Sequence, residues 1–336
     1  MMSLAEIRRL DATLDHARRS PVADAVASGW GFAPGLARHL RSSASHVFTL
    51  ESPDGRRVYL RFVPADYRPQ GAFARVAELM RDLGARGLAV AQPIATDSGA
   101  LVETVATSLG PVHAMVVRQA PGEQIDADAL DARRASAWGA ALARLHRDGG
   151  QTAVGANLPG PFAQLDPKPA PATQAFAGDP DLADAAEKIA RRLEELPRGP
   201  DVFGVVHGDF ELDNLCWTDD RPVAYDFDEA ARSWFVADLA HATRDLAPLP
   251  PRTPRPDEAD LFAAFLSGYR QVHALAEAQL AWLPLFVAAH AACSVVRVRA
   301  ALGEQEPDEP PWQVRLRRKL IEYADRQRRI ALIADL

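Results

Sequence analysis

Cysteine is almost missing from this chain of 336 residues, which has only Cys216 and Cys293. Two thiols build neither a disulfide framework nor a zinc site, so both are expected to behave as small buried apolar side chains. A basic excess is missing too. The formal charge is −7, whereas a general nucleic-acid binder needs a dominant positive surface. The start, MMSLAEIRRLDATLDHARRS, has no apolar h-region and does not read as a signal peptide. No clean membrane-length run exists either. The most apolar stretch, Leu280 to Val296, is interrupted by Trp282, Pro284, His290 and Ser294, and reads as a buried core helix.

What is present is an ordinary globular composition, 48% hydrophobic and 25% charged, enough to bury a sizeable core. The length predicts two domains or one large body with two lobes. The expectation is a soluble cytoplasmic protein with no nucleic-acid and no membrane partner. The acidic excess suits a cationic ligand but equally suits solubility. Oligomeric state is not legible.

Along the chain, Leu4 to Ala27 has helical spacing (Leu4, Ile7, Leu10, Leu14) and predicts one amphipathic helix, ended by Gly29 to Pro34. Five strand-like segments follow: His46 to Leu50, Arg57 to Val63, Val90 to Ala95, Ala100 to Ala106 and Val112 to Gln119. Ser52-Pro53-Asp54-Gly55 is a hairpin signature between the first two. The helix expected at Ala72 to Leu83 lies among them, with Phe73, Val76, Met80 and Leu83 on one face. Pro121-Gly122 breaks this small mixed region. Beyond it the chain reads as helical: Asp128 to Arg147, Leu182 to Leu196, Phe235 to Leu246, Glu258 to Ala276, Glu277 to Leu302 and Pro311 to Ile333. Pro159 to Pro180 and Pro248 to Pro256 read as loops. The last helix carries many arginines, expected to form a solvated basic face. The division is therefore placed at 1–121 and 122–336.

One stretch concentrates the chemistry: VVHGDFELDNLCWTDDRPVAYDFDEA, Val205 to Ala230. A strand-like entry leads to His207-Gly208-Asp209. Asn214 follows, and Asp226-Phe227-Asp228 comes after two apolar segments joined by a turn at Thr218 to Arg221. Two aspartates and an asparagine at such separations match what phosphoryl transfer requires. One carboxylate takes or orients a hydroxyl proton, while an amide oxygen and a second carboxylate hold magnesium against phosphates.

The set His207-Gly208-Asp209, Asn214 and Asp226-Phe227 resembles the aminoglycoside phosphotransferase and choline kinase family. That resemblance implies an α+β, two-lobed protein-kinase-like fold: a small mixed N-lobe with a five-stranded antiparallel sheet, and a larger, mostly helical C-lobe. It implies an ATP- and magnesium-dependent kinase that phosphorylates a hydroxyl of a small molecule. On the matching positions it makes Asp209 the catalytic base, Asn214 and Asp226 the magnesium ligands, and His207 a support of the loop. Asp238, in Ala237-Asp238-Leu239-Ala240, would fasten that loop through backbone N–H groups, with a plain helix cap as the alternative. Gln119 and Ala120 fall where the linker backbone meets adenine.

The nucleotide side departs from the pattern. Ser43-Ala44-Ser45-His46-Val47-Phe48 replaces a glycine-rich loop, and Arg61 stands where a strand lysine is expected. Glu78, the nearest glutamate for pairing that cation, lies off the apolar face of its helix. Asp228, Glu211 and Glu229 are candidates for holding an amine-bearing acceptor, such as an aminoglycoside, another basic antibiotic, an amino alcohol or a hydroxy amino acid. Three other readings compete: a protein serine/threonine kinase of the same fold, a degenerate nucleotide-binding scaffold, and a metallohydrolase using His207, Asp209 and Asp226.

Overall fold

A computed structural model describes residues 1–160, 162, 165, 176, 178–247 and 256–333. They form two compact units. The first contains Met1–Ala85, Val90–Ala120 and Ala300–Lys319; the second contains Arg86–Ala89, Pro121–Arg299 and Leu320–Leu336.

The first unit is built on an antiparallel sheet. Its strands are β1 (Arg38–Ser42), β2 (His46–Glu51), β3 (Arg57–Pro64), β4 (Pro93–Ile94), β5 (Glu103–Thr107) and β6 (Gly110–Arg118). They run in the order β1-β2-β3-β6-β4, with β5 also paired to β6. Alternation decides which face is buried. Val58, Leu60 and Phe62 of β3 point inward with Phe48, Val112, Ala114 and Val116, and Phe48 stacks on Phe62 at 5.7 Å. Each such large side chain contributes about 1.5–3 kcal/mol by leaving water. Arg61, between Leu60 and Phe62, therefore faces the other side of the sheet. The five expected strands are present, one of them only two residues long. The sixth, β1, has the sequence RHLRS and no apolar alternation, because it is an exposed edge strand.

Helix α1 (Leu4–Asp11) and helix α2 (Pro21–Ala27) replace the single N-terminal helix expected from spacing. Ser20 and Pro21 restart the chain: the Ser20 hydroxyl accepts from the Val22 N–H, and Pro21 occupies the first turn, where its missing donor costs nothing. Val22, Ala23 and Val26 of α2 complete the sheet's core. Helix α3 (Gln70–Ala85) buries the expected face of Phe73, Val76, Met80 and Leu83, and Glu78 lies off it.

The second unit holds α4 (Ala132–Gly149), α5 (Pro180–Glu194), α6 (Phe235–Ala242), α7 (Pro256–Arg270), α8 (Glu277–Leu280) and most of α9 (Leu283–Leu302). Helix α10 (Pro311–Ile333) follows at the expected bounds. A single helix over Glu277 to Leu302 is not formed, since Pro284 near the start of α9 separates the two pieces. Leu285, Phe286, Ala288, Ala289, Ala292 and Val295 are buried, so α9 is a core helix despite an apolarity and length that would also span a membrane. The arginine-rich α10 is not simply solvated: Arg317 pairs with Glu309, and Arg328 with Asp179 and Asp181. The loop expected at Pro159 to Pro180 lies largely, and the linker at Pro248 to Pro256 almost wholly, outside the described residues.

Helices α4 and α7 lie unusually close. A Cβ on Gly139 would meet the Phe265 carbonyl at 2.0 Å, and one on Gly268 would meet that of Ser136 at 1.9 Å. This contact brings Trp138 against Phe265, and the Trp138 indole donates to the Phe210 carbonyl at 3.0 Å. A helix-packing contact thereby reaches the loop of interest.

Candidate active site

The stretch 203–234 folds as one hairpin inside another. The outer pair is β7 (Phe203–Val206) against β10 (Ala231–Trp234), and the inner pair is β8 (Leu215–Thr218) against β9 (Arg221–Ala224). The inner turn matches the Thr218 to Arg221 signal, with Asp219 in the left-handed region at φ +56°. Two loops are left between the pairs. One carries His207, Gly208, Asp209 and Asn214; the other carries Asp226 to Ala230.

Gly208 has φ +81°, and a Cβ there would sit 2.3 Å from the Glu229 carbonyl oxygen. Glycine is therefore required where the two loops meet. Asp238 holds the turn from below. It is the fourth residue of α6 rather than its cap, and its carboxylate accepts the N–H of His207 at 2.8 Å and of Gly208 at 2.9 Å. His146 of α4 lies 3.1 Å from the same carboxylate through Nε2, and its Nδ1 lies 2.7 Å from the Tyr269 hydroxyl. Burial alone would raise the Asp238 pKa, yet the His146 contact and the backbone donors outweigh it and hold the carboxyl below its usual range. Burial lowers His146, so an ionised aspartate meets a neutral imidazole. That imidazole donates to Asp238 and accepts from Tyr269.

His207 is fully buried and keeps to the loop's interior. Its Nε2 donates to the Tyr225 carbonyl at 3.1 Å, and its Nδ1 accepts from the Asp209 N–H at 3.3 Å. Burial pushes its pKa down. Both ring nitrogens are thus used on backbone groups, as a supporting residue would use them.

Asp209 lies at the open end, about three-tenths exposed. The Asn214 side-chain N–H₂ donates to its Oδ2 at 2.9 Å and to its carbonyl at 2.9 Å. His241 of α6 reaches its Oδ1 through Nε2 at 2.7 Å. Burial would raise the Asp209 pKa, but the His241 hydrogen bond and neighbouring positive groups bring it down to about 2. The carboxylate is ionised and can accept a further hydrogen bond. Because Asn214 spends its amide nitrogen on Asp209, its Oδ1 faces away from that contact and is a hard oxygen donor. Asp226 sits in the left-handed region at φ +64°, ψ 61°, a conformation that costs an L-residue energy and clusters at functional sites. Among the described residues no group of three His, Cys, Asp or Glu side chains is preformed around a metal. The amide oxygen of Asn214 and the carboxylate of Asp226 are hard oxygen donors of the kind that suit a divalent cation, whose shell phosphate oxygens and water can complete. The same finding leaves the metallohydrolase reading without a cluster.

Of the candidate acceptor carboxylates, Glu211 is ion-paired to Arg244 and Glu229 to Arg297 at 2.7 Å, while Asp228 is buried. In the first unit, Arg61 is also buried and reaches the Ser45 hydroxyl at 3.3 Å. Ser43 is tied through backbone, accepting from Met2 N–H at 2.8 Å, and the Gln119 N–H donates to the Arg57 carbonyl at 3.1 Å; Ala120 is buried. Sequence reasoning missed His241, Arg244, His146 and Tyr269. His241 left one trace: it falls three residues after Asp238, on the same helical face.

A sheet-based unit followed by a mostly helical unit with an ionised aspartate in its loop is the layout of the protein-kinase-like fold. Solved structures agree. An amicoumacin kinase in complex with AMP-PNP, Ca2+ and Ami superposes with TM-score 0.73 at 22% identity, covering 94% of this chain and 96% of that one. A microcompartment-associated aminopropanol kinase gives 0.64 at 19% identity, covering 92% and 95%. A spectinomycin phosphotransferase gives 0.60 at 13%, covering 92% and 96%. Residues 37–275 match the phosphotransferase enzyme family, and the chain belongs to that family. Amicoumacin kinase of Bacillus subtilis (strain 168) is 23% identical over 272 residues, 78% of this chain and 79% of that protein. The protein is accordingly an enzyme, a kinase acting on the hydroxyl of a small molecule.

Proposed function

We propose that this kinase uses magnesium-ATP, that Asp209 is its catalytic base, and that its acceptor is an amine-bearing small alcohol. The observation that carries the reading is the Asp209 carboxylate, held ionised at the open end of a loop and braced by Asn214. Magnesium, when bound, supplies neutralisation of the phosphate charge that develops on transfer. Asn214 Oδ1 and the Asp226 carboxylate would hold it. Asp209 accepts the hydrogen bond of the acceptor hydroxyl, orients its oxygen and receives its proton as that oxygen bonds to the γ-phosphorus of ATP and the bond from that phosphorus to the β,γ-bridging oxygen breaks, releasing ADP. His207 and Asp238 keep the loop in the required shape through backbone contacts.

In this reading 1–121 supplies the nucleotide contacts, through Ser43, Arg61 and the backbone at Gln119 and Ala120. Residues 122–336 supply the catalytic loop and the acceptor site, and the cytoplasm is the proposed setting. Family relatives are named for amicoumacin, aminopropanol and spectinomycin, which motivates the acceptor class. With Glu211 and Glu229 paired to arginines, a cationic acceptor must either displace an arginine or use Asp228 and backbone carbonyls. The protein-kinase alternative gains no support. Asp226 to Phe235 is taken up by a turn of 3-10 helix and β10, leaving no room for an activation segment.

The test is ADP formation by purified protein with magnesium-ATP and a panel of amicoumacin, spectinomycin, other amino sugars, amino alcohols and hydroxy amino acids. Acceptor-dependent ADP release with at least one amine-bearing alcohol is expected. Release with neutral sugars or a basic protein alone would contradict the acceptor assignment.

A further inference from the structure

Both oxygens of Asp209 are already engaged, and only one partner belongs to the motif. Asn214 binds Oδ2; His241, 32 positions away in sequence, binds Oδ1 at 2.7 Å. An ionised carboxylate can only accept, so the imidazole must carry its proton on Nε2. The ring is itself braced. It lies against His290 with centroids 4.8 Å apart, and His290 Nε2 donates to the Ala237 carbonyl of the same helix α6 at 3.0 Å. One turn on, Arg244 pairs with Glu211 and brings Nη1 to 3.1 Å from His241 Nε2. The loop is therefore clipped to the end of α6 at alternate residues, Asp209 by His241 and Glu211 by Arg244.

The contact is not needed to hold the backbone, which Asp238 and Trp138 already fix at His207, Gly208 and Phe210. What it adds acts on the Asp209 side chain. With one donor on each oxygen, the carboxylate plane is set, and with it the direction of the second lone pair of each oxygen. We propose that His241 is a positioning residue: its Nε2–H pins Asp209 Oδ1, so that the remaining lone pairs are aimed at the acceptor hydroxyl. This rests on the assignment of Asp209 as base. Misplacement of a reacting group by about 1 Å costs on the order of a hundredfold in rate, which bounds the effect.

Two substitutions separate donor from packing. His241→Phe keeps a ring against His290 and has no donor; His241→Gln keeps an N–H donor and loses the ring. With the acceptor found in the panel above, His241→Phe is expected to lower kcat by about ten- to a hundredfold while KM for ATP stays within about twofold. His241→Gln should recover most of that loss, with both variants melting near the wild type. A wild-type kcat in His241→Phe, or a His241→Gln as slow as His241→Phe, overturns the proposal. Imidazole 1H–15N spectra of the full chain give a readout that needs no acceptor. The His241 proton is expected on Nε2, with a signal that moves in Asp209→Ala; a proton on Nδ1, or no response to Asp209→Ala, contradicts the clip. A wild type inert towards every acceptor counts against the kinase assignment instead, and the spectra still decide the contact.

Discussion

The His207–Asn214 loop of the second unit and the β1–β2 hairpin of the first are both held by histidines, but to different ends. In the loop, His146 and His241 each meet a carboxylate, so the imidazoles fix charge: Asp238 inside, Asp209 at the opening. In the hairpin no carboxylate takes part. His39 Nε2 lies 2.9 Å from the Ser42 hydroxyl, which lies 2.8 Å from His46 Nδ1 across the Ser43–Ser45 turn. Burial, then the neighbouring Arg18, lowers His39 to about 4; burial, then His39, lowers His46 to about 3. The hairpin is thus a neutral relay that stiffens a turn. Charge must be placed at an atom for proton transfer, whereas a phosphate can be gripped by any well-ordered backbone N–H groups. The first demand fixes residue types and the second does not.

That difference decides what could be read from the sequence. His207, Gly208, Asp209, Asn214, Asp226 and Asp238 were picked out because these residue types stand at fixed separations, and the structure ties His207, Gly208, Asp209, Asn214 and Asp238 into one hydrogen-bonded loop. Gly208 is the clearest case, having both positive φ and a carbonyl where its Cβ would be. His241 and His146 were not legible, because their partners lie 32 and 92 positions away and no local pattern records a tertiary contact. Strand β1 escaped because an exposed edge has no apolar alternation to show. The N-terminal helix was read too long because its apolar spacing continues through Leu14, while the Ser20-Pro21 start signal was passed over. Arg61 was chosen by position alone, as the residue standing where a strand lysine was expected; lysine occurs only at 168, 188 and 319, outside every segment read as a strand.

The comparison can be broken first at the metal. Asp226→Ala should reduce transfer by at least a thousandfold, in line with losses seen when the groups that organise phosphoryl transfer are removed. It should also remove the magnesium-dependent part of the ATP-induced rise in melting temperature; a variant that keeps both shows that Asp226 holds no metal. Next is the buried pair. Asp238→Ala strips His146 and two backbone donors of their partner and should cost about 1–3 kcal/mol in urea unfolding. A loss under about 1 kcal/mol would mean that the loop is held by something else.

The sheet beside the hairpin should respond more gently. Arg61→Met is expected to raise KM for ATP by about tenfold and leave kcat within about threefold, a ground-state binding effect. A kcat loss as large as that of Asp226→Ala would show that the sheet cation, not the loop, governs the chemistry. The smallest effect concerns pH. Asp209 has its pKa lowered to about 2, so it contributes stability above the ordinary carboxylate range and loses it as pH falls towards about 2. The stability difference between the wild type and Asp209→Asn should therefore be constant from pH 7 to about 5 and shrink below about pH 4. A difference that instead grows on acidification contradicts an ionised Asp209.

The most direct test of the account is the rate of phosphate transfer by Asp209→Ala to the acceptor that the wild type uses, with magnesium-ATP saturating. A fall of about a hundred- to ten-thousandfold, with ATP affinity preserved and the variant still folded, is the result predicted for a catalytic base. Turnover within a few-fold of the wild type would contradict it.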